Sequence, residues 1–257
     1  MRRMLRYTIS ICLLGCVFLG TAQESKTIDL NPKDTTVYKQ PYGLRVGFDL
    51  SRILNSFFDE DYTGLEVVAD YRLTQKLYLA AEIGNEKKTK QEDLYNFTTS
   101  GSYIKAGIDY NTYGNWYGEQ NMITLGGRYA VSSHSQTVND YQLFDSNRYW
   151  SPEDFVVGSE ASREFSGRAK SWLEMVVGVK MELFKNLYLG GSLRLGYLFS
   201  DPQEAEFWDL FIPGFNKVTD NSRFGVGYNY SISYLIPLYK KAKKIEEKPV
   251  LEEPEED

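Results

Sequence analysis

The segment WLEMVVGVKMELFKNLYLGGSLRLGYLF, residues 172–199, is rich in apolar side chains yet carries Glu174, Lys180, Glu182 and Arg194. Its apolar residues fall on alternate positions. Leu173, Met175, Val177, Val179, Met181 and Leu183 form one set, with Glu174, Gly178, Lys180 and Glu182 between them. After a break at Phe184, Lys185 and Asn186, Leu187, Leu189, Leu193 and Leu195 alternate with Ser192, Arg194 and Gly196. A period of two sends successive side chains to opposite faces of a strand. The segment therefore predicts a hairpin with one apolar face and one charged face.

The same alternation recurs along the chain. Leu44, Val46, Phe48 and Leu50 alternate with Arg45, Gly47, Asp49 and Ser51. Leu65 to Leu73 carry Glu66, Asp70 and Arg72 between them, and Leu77 to Ile83 carry Tyr78, Ala80 and Glu82. Ile104 to Tyr110 enclose Lys105 and Asp109; Ile123 to Val131 enclose Thr124 and Arg128; Phe224 to Ile236 enclose Asn229, Ser231 and Ser233. This predicts eight strands of roughly 10 to 14 residues, longer than globular strands and long enough for tilted strands to cross a bilayer.

Two architectures accept eight such strands. A soluble sandwich turns its apolar faces inward; a membrane barrel turns them to lipid and keeps its polar faces in the lumen. The connections distinguish them. They are expected at residues 54–61, 74–76, 87–96, 112–119, 133–170, 185–186 and 200–221. The second, fourth and sixth are short and the others longer or comparable, which is the alternation of periplasmic turns with longer outer loops. The fold class expected is all-β: an eight-stranded antiparallel up-and-down transmembrane β-barrel spanning residues 41–239.

The termini fit that setting. MRRMLR supplies positive charge, YTISICLLGCVFLG is an apolar run, and Gly20 and Ala22 are small, the layout of a cleaved signal peptide over residues 1–22. Both cysteines, Cys12 and Cys16, fall inside it. LLGC also reads as a lipidation signal at Cys16, although the apolar VFLG after it argues against that use. Residues 23–40 read as a flexible polar segment, and 240–257 as a disordered, charged periplasmic tail. The net charge of -6 excludes the basic footprint of a nucleic-acid binder.

The polar faces answer why the charges are there. Arg45, Arg72, Lys105, Arg128, Lys180, Arg194 and Arg223 stand against Asp49, Glu66, Asp70, Glu82, Asp109, Glu174 and Glu182, seven of each sign. An eight-stranded barrel has room inside for little but side chains, and buried charges must pair. A neutral salt-bridge network closing the lumen is expected. Tyr42, Tyr62, Tyr78, Tyr103, Trp116, Tyr117, Trp172, Tyr188, Tyr197 and Tyr239 cluster near strand ends, where lipid-facing aromatic girdles belong.

The blocks YGLRVGFDLSRIL, EVVADYRLTQKLYLAAEIGNE, NFTTSGSYIKAGIDYNTYGNW and ITLGGRYAVSSHSQT resemble an uncharacterised family of outer-membrane β-barrel proteins from Bacteroidota, over about residues 33–237. The resemblance implies the bacterial outer membrane and an eight-stranded barrel, and it supplies no activity. Asp34, Thr35 and Thr36 also resemble the O-glycosylation signal of that phylum.

Candidate functional residues lie in the outer loops. Tyr141, Phe144, Tyr149, Trp150 and Phe155 fall in one, and Phe207, Trp208, Phe211, Ile212 and Phe215 in another. Such aromatics either pack as a cap over the barrel mouth or form a surface for another envelope protein. His134, the single histidine, lies beside Ser132, Ser133 and Ser135, a base and nucleophiles for a lipid-trimming enzyme. With no carboxylate positioned by the sequence, a polar loop is the preferred reading. Asp59, Glu60 and Asp61 could meet calcium but read as a solvated loop, and no metal or cofactor is expected. The function expected is a non-enzymatic structural or interaction module, surrounded by outer-membrane lipid and lipopolysaccharide. A narrow solute channel, an accessory subunit of an assembly or export complex, and a lipid-modifying enzyme are the alternatives, in that order.

Overall fold

Nine strands and one helix make up the computed structural model, which describes residues 39–92, 95–114, 120–144, 155–159, 162–199, 209–216 and 223–242. The strands are β1 (Lys39–Asp49), β2 (Tyr62–Arg72), β3 (Leu77–Gln91), β4 (Tyr95–Asn111), β5 (Met122–Phe144), β6 (Phe155–Ser159), β7 (Arg163–Phe184), β8 (Leu187–Leu198) and β9 (Phe224–Ala242). Eight of them pair antiparallel with their chain neighbours. The ring closes where β1 meets β9, Leu44 opposite Ile236 and Phe48 opposite Ile232. β6 stands outside the ring and pairs with the far end of β5, Tyr141 to Phe144.

The barrel is inside out. Lys105, Glu66, Glu82, Arg128 and Arg194 are buried, while Leu65, Ile83, Ile104, Leu125, Met175, Leu193 and Val226 are exposed. One face of every strand thus presents apolar side chains outward and the other places charge inside. Water does not reward that arrangement, since exposed apolar area is the unfavourable term. A bilayer does, and closing the ring leaves no unpaired edge in lipid. The fold is an eight-stranded antiparallel transmembrane β-barrel.

Several strands outrun their expected ends. β5 has 23 residues and β7 has 22, about twice what a bilayer crossing needs. The outward face changes character part-way. On β5 it is Ile123, Leu125, Tyr129 and Val131, then Ser133, Ser135 and Thr137; on β3, Ile83 gives way to Asn85 and Lys87; on β4, Ile104 gives way to Ser102 and Ser100. Beyond the belt the outward face is polar and the inward face, apart from Phe97 and Val138, is polar too, so the alternation fades while the hydrogen-bond ladder continues. The outer connections expected at 87–96 and 133–170 are therefore mostly wall: β3 and β4 are joined by residues 92–94, and the second connection narrows to 145–162 with β6 inside it. At the opposite end the turn at 185–186 is tight, with Asn186 at φ 67, a left-handed conformation that asparagine tolerates.

The first strand ends earlier than expected. After Asp49 the chain turns into helix α1 (Leu50–Phe58). The Asp49 carboxylate accepts from the Ser51 N–H at 2.8 Å, an N-cap that stabilises helix initiation. Among the described residues no helix is long and apolar enough to cross a membrane; the strands do the crossing.

Candidate functional site

The lumen is built in layers. At its inner end Arg72 lies 4.5 Å from the Tyr42 ring and donates to Gln40 Oε1 at 2.7 Å and to the carbonyls of Thr74 and Gln75. Fixed dipoles and a π face, rather than a carboxylate, neutralise this guanidinium. Next, Asp70 is shared: Arg45 reaches one oxygen at 3.0 Å and Lys180 the other at 2.6 Å. Arg45 also stacks on Tyr188, 4.5 Å from its centroid.

The middle layer is one connected cluster. Arg194 lies 2.6 Å from Glu82, 3.6 Å from Glu66 and 3.8 Å from Glu174. Arg128 bonds Asp109 at 2.8 Å and approaches Glu82 at 3.5 Å. Lys105 bonds Glu174 at 2.8 Å, and Glu174 also accepts from the Trp172 indole at 2.7 Å. Glu66 Oε1, the oxygen nearest Arg194, also accepts from Asn229 Nδ2 at 3.2 Å, and Oε2 accepts from Tyr103 Oη at 2.5 Å. Above it Arg52, on α1, bonds Glu86 at 2.7 Å, and Tyr62 Oη donates to the same carboxylate at 2.9 Å.

A plug closes the outer mouth. Residues 209–216 lie inside it, with Ile212 and Phe215 buried among Tyr103, Ala130, Trp172 and Leu198. Phe215 meets Trp172 edge-on at 5.5 Å. Gly214 has φ +80, and a Cβ there would lie 2.6 Å from the Tyr103 ring, so this bend needs glycine. The plug is tied at both ends. Gly214 N–H donates to Glu86 at 2.9 Å, and Leu210 N–H donates to Gln136 Oε1 at 2.9 Å. Asp209 meets Arg168 at 2.8 Å, His134 Nε2 at 3.1 Å and Lys170 at 3.1 Å. Burial alone would raise the Asp209 pKa. Hydrogen bonds from His134 and Lys170, with the Arg168 charge, outweigh it and hold the carboxyl below its usual value.

Among the described residues, cavities inside the lumen measure about 40 Å³ around Asp109, Arg128 and Arg194, and about 10 Å³ beside Arg45 and Tyr188 and again beside Phe215. The 40 Å³ cavity holds roughly one or two waters. It adjoins Asp109 and Arg194, each of which keeps a buried polar atom with no protein hydrogen bond.

Of the charged residues singled out in the sequence, Arg45, Asp49, Glu66, Asp70, Arg72, Glu82, Lys105, Asp109, Arg128, Glu174, Lys180 and Arg194 point inward. Two lie elsewhere. Glu182 sits half-buried at the inner rim, accepting from the turn N–H of Asn186, and Arg223 is exposed at the outer start of β9. Arg52 and Glu86 stand in the lumen instead, so among the described residues seven cations and seven anions lie below the plug. Glu86 was within reach of sequence reasoning, because it shares the parity of Glu82 and Gly84. Arg52 was not, because only a helix turns it inward.

The aromatic residues correct the girdle expectation. Tyr42, Tyr62, Tyr78, Tyr103, Trp172 and Tyr188 are buried in the lumen, not set against lipid. All but Tyr42, which follows a register shift between Tyr42 and Gly43, share the parity of the charged residues, and they cover those residues with ring faces and hydroxyls. Tyr197 does face outward, Tyr239 is exposed at the inner rim with its ring stacked on Tyr42 at 5.4 Å, and Trp116 and Tyr117 lie outside the described residues. Of the loop aromatics, Phe215 is buried in the plug and so presents no surface to a partner. Phe211 is half-exposed beneath Lys88, 5.4 Å away. Tyr141 is half-buried on β5, and Phe144 pairs in register with Phe155. Tyr149, Trp150, Phe207 and Trp208 lie outside the described residues. His134 and Ser132 are both buried, and His134 is engaged by Asp209 of the plug.

A closed antiparallel ring with apolar side chains outward and paired charges inward defines the class: a transmembrane β-barrel. The chain belongs to the family described as a domain of unknown function, DUF6048, whose model matches residues 4–241. No curated protein matches the sequence. Among solved structures it is similar to Ail, the attachment invasion locus protein of Yersinia pestis, with TM-score 0.38 and 9% identity over 77% of this chain and 99% of that one. It is also similar to Neisserial surface protein A, with TM-score 0.35 and 13% identity over 76% of this chain and 94% of that one.

Proposed function

We propose that this protein is a non-enzymatic outer-membrane barrel with a closed lumen, acting as a structural or interaction module through the part that projects beyond the bilayer. The observation that carries this reading is the lumen itself: seven cations and seven anions held mostly in direct ion pairs, under a plug of Ile212 and Phe215. A channel needs an aqueous path, whereas here side chains occupy the interior. What the fold presents to the outside is the long polar extension of β3, β4, β5 and β7, topped by β6. Its outward face of Ser, Thr, Asn and Lys suits lipopolysaccharide sugars or an envelope protein. The resemblance to Bacteroidota barrels supports the outer membrane as the location.

The test is purification of the tagged protein from its native membrane in mild detergent, beside a variant in which a Gly-Ser linker replaces residues 145–161. That deletion spares the plug and the barrel ladder. A stoichiometric envelope protein present with the intact chain and lost with the variant is the expected result. The same barrel recovered alone from both would remove the interaction half of the proposal.

A further inference from the structure

Helix α1 interrupts the barrel wall. Asp49 faces Ser231 on β9, and β9 continues outward to Phe224. On the other side β1 pairs with β2 up to Phe48 and Val67, while β2 continues outward to Tyr62. Between these two extensions no strand remains, and α1 packs against both β2 and β9. Its 9 residues rise about 13 Å, the length of roughly four strand residues. The helix thus stands where β1 would have continued.

The helix is also patterned as wall. Ser51 and Arg52 are buried, and Arg52 reaches into the lumen to Glu86. Ser56 closes the seam: its hydroxyl accepts from the Gly64 N–H at 2.8 Å, while its proton faces the Arg52 carbonyl at 2.9 Å and the Gly64 carbonyl at 3.2 Å. The Gly64 N–H, left without a strand partner at this point, is satisfied by this side chain. On the opposite face Leu54, Phe57 and Phe58 are 47%, 80% and 60% exposed. These residues are spaced three and four apart, on one stripe. The stripe is continuous with the lipid belt: Phe48 below it, Leu65 on β2, and Val226 and Phe224 on β9 are all exposed apolar residues. The belt's outer edge steps from Leu65 on β2 to Phe224 on β9, and the helix lies between those two limits.

We propose that α1 is a membrane-facing part of the barrel wall, with Leu54, Phe57 and Phe58 seated among the acyl chains of the outer leaflet. A helix satisfies its own backbone bonds and can replace a strand in lipid without exposing polar groups. Bringing Arg52 inward while two phenylalanines face lipid is something the two-residue alternation of a strand would not achieve over the same length. The inference rests on the transmembrane reading, and its test separates the two.

In a chain with Cys12 and Cys16 replaced by serine, single cysteines at Phe57→Cys, Leu193→Cys or Lys87→Cys are labelled with an environment-sensitive fluorophore. Each protein is refolded into phosphatidylcholine vesicles with and without brominated acyl chains, folding being checked by heat-modifiable mobility. Leu193 is a belt position on β8, and Lys87 lies beyond the belt on β3. The expected result is bromine quenching at 57 comparable to that at 193, with little at 87. Quenching at 193 but not at 57 would overturn the inference and leave the barrel reading intact. Absence of quenching at 193 as well would sink the transmembrane reading itself. Leu54→Cys provides a second position on the same stripe if the label at 57 prevents folding.

Discussion

At the scale of single residues, the lumen is governed by the cost of an unpaired buried charge. Arg194 faces three carboxylates, Glu66, Glu82 and Glu174. Removing it as Arg194→Leu strands them, and the expected loss is about 3–5 kcal/mol, read as a lowered urea midpoint of the refolded barrel. Adding Glu82→Gln to that variant should recover part of the loss, and a double variant worse than the single one would argue against a shared network. Asp209 sets a pH dependence. Its folded pKa is lowered, so its contribution to holding the plug is present above the unfolded value of about 3.9 and is lost as pH falls through the lower folded value. Hydrogen exchange at the Leu210 amide, corrected for intrinsic rate, should show protection from neutrality down to that acid range. Asp209→Asn should weaken protection already at neutral pH and remove its acid step. The pairing of individual residues was only partly written in the sequence. Parity assigned most of the charges to the lumen, but which anion meets which cation depends on strand stagger, as when Lys180 on β7 reaches Asp70 on β2.

At the scale of elements, the strands were legible wherever one face was apolar and the other polar, and became illegible beyond the membrane belt. β5 past Val131 reads Ser132, Ser133, His134, Ser135, Gln136, with nothing to mark a period of two, yet its ladder to β7 continues to Val138 and Arg163. α1 was hidden for a different reason: Leu50 to Leu54 begins as a continuation of β1's alternation, and the Asp49 cap that diverts it is one residue. The seam it makes depends on Ser56. Ser56→Ala leaves the Gly64 N–H without its partner and should cost about 1–3 kcal/mol, with faster exchange at the Gly64 amide than at Val67. Equal protection at both amides would mean that the seam is closed by something else. The plug behaves as a separate element. Phe215→Ala should free residues 209–216 with little change in the global unfolding midpoint, because the charged layer below is untouched; a large global loss would show that the plug is integral to the wall.

At the scale of the molecule, the amino-acid sequence carries the inversion of the barrel plainly: the charges in residues 172–199 fall on the inward face of β7 and β8, Glu182 at the rim and Lys185 in the turn excepted. It does not carry the plug. Nothing in the local pattern of Asp209 to Asn216 says that the segment turns back into the mouth, because that follows from space left by Gly196 and Gly225, where a Cβ would meet Phe215 and Asn216. Together the ion-paired interior and the plug make the central claim, that the barrel is closed. The direct measurement is single-channel recording of the purified, refolded protein in a planar bilayer. The account predicts a flat baseline at neutral pH across the usual voltage range, with insertion verified independently by protease protection. Stable, reproducible conductance steps from the intact protein would contradict it and restore the solute channel as the better reading.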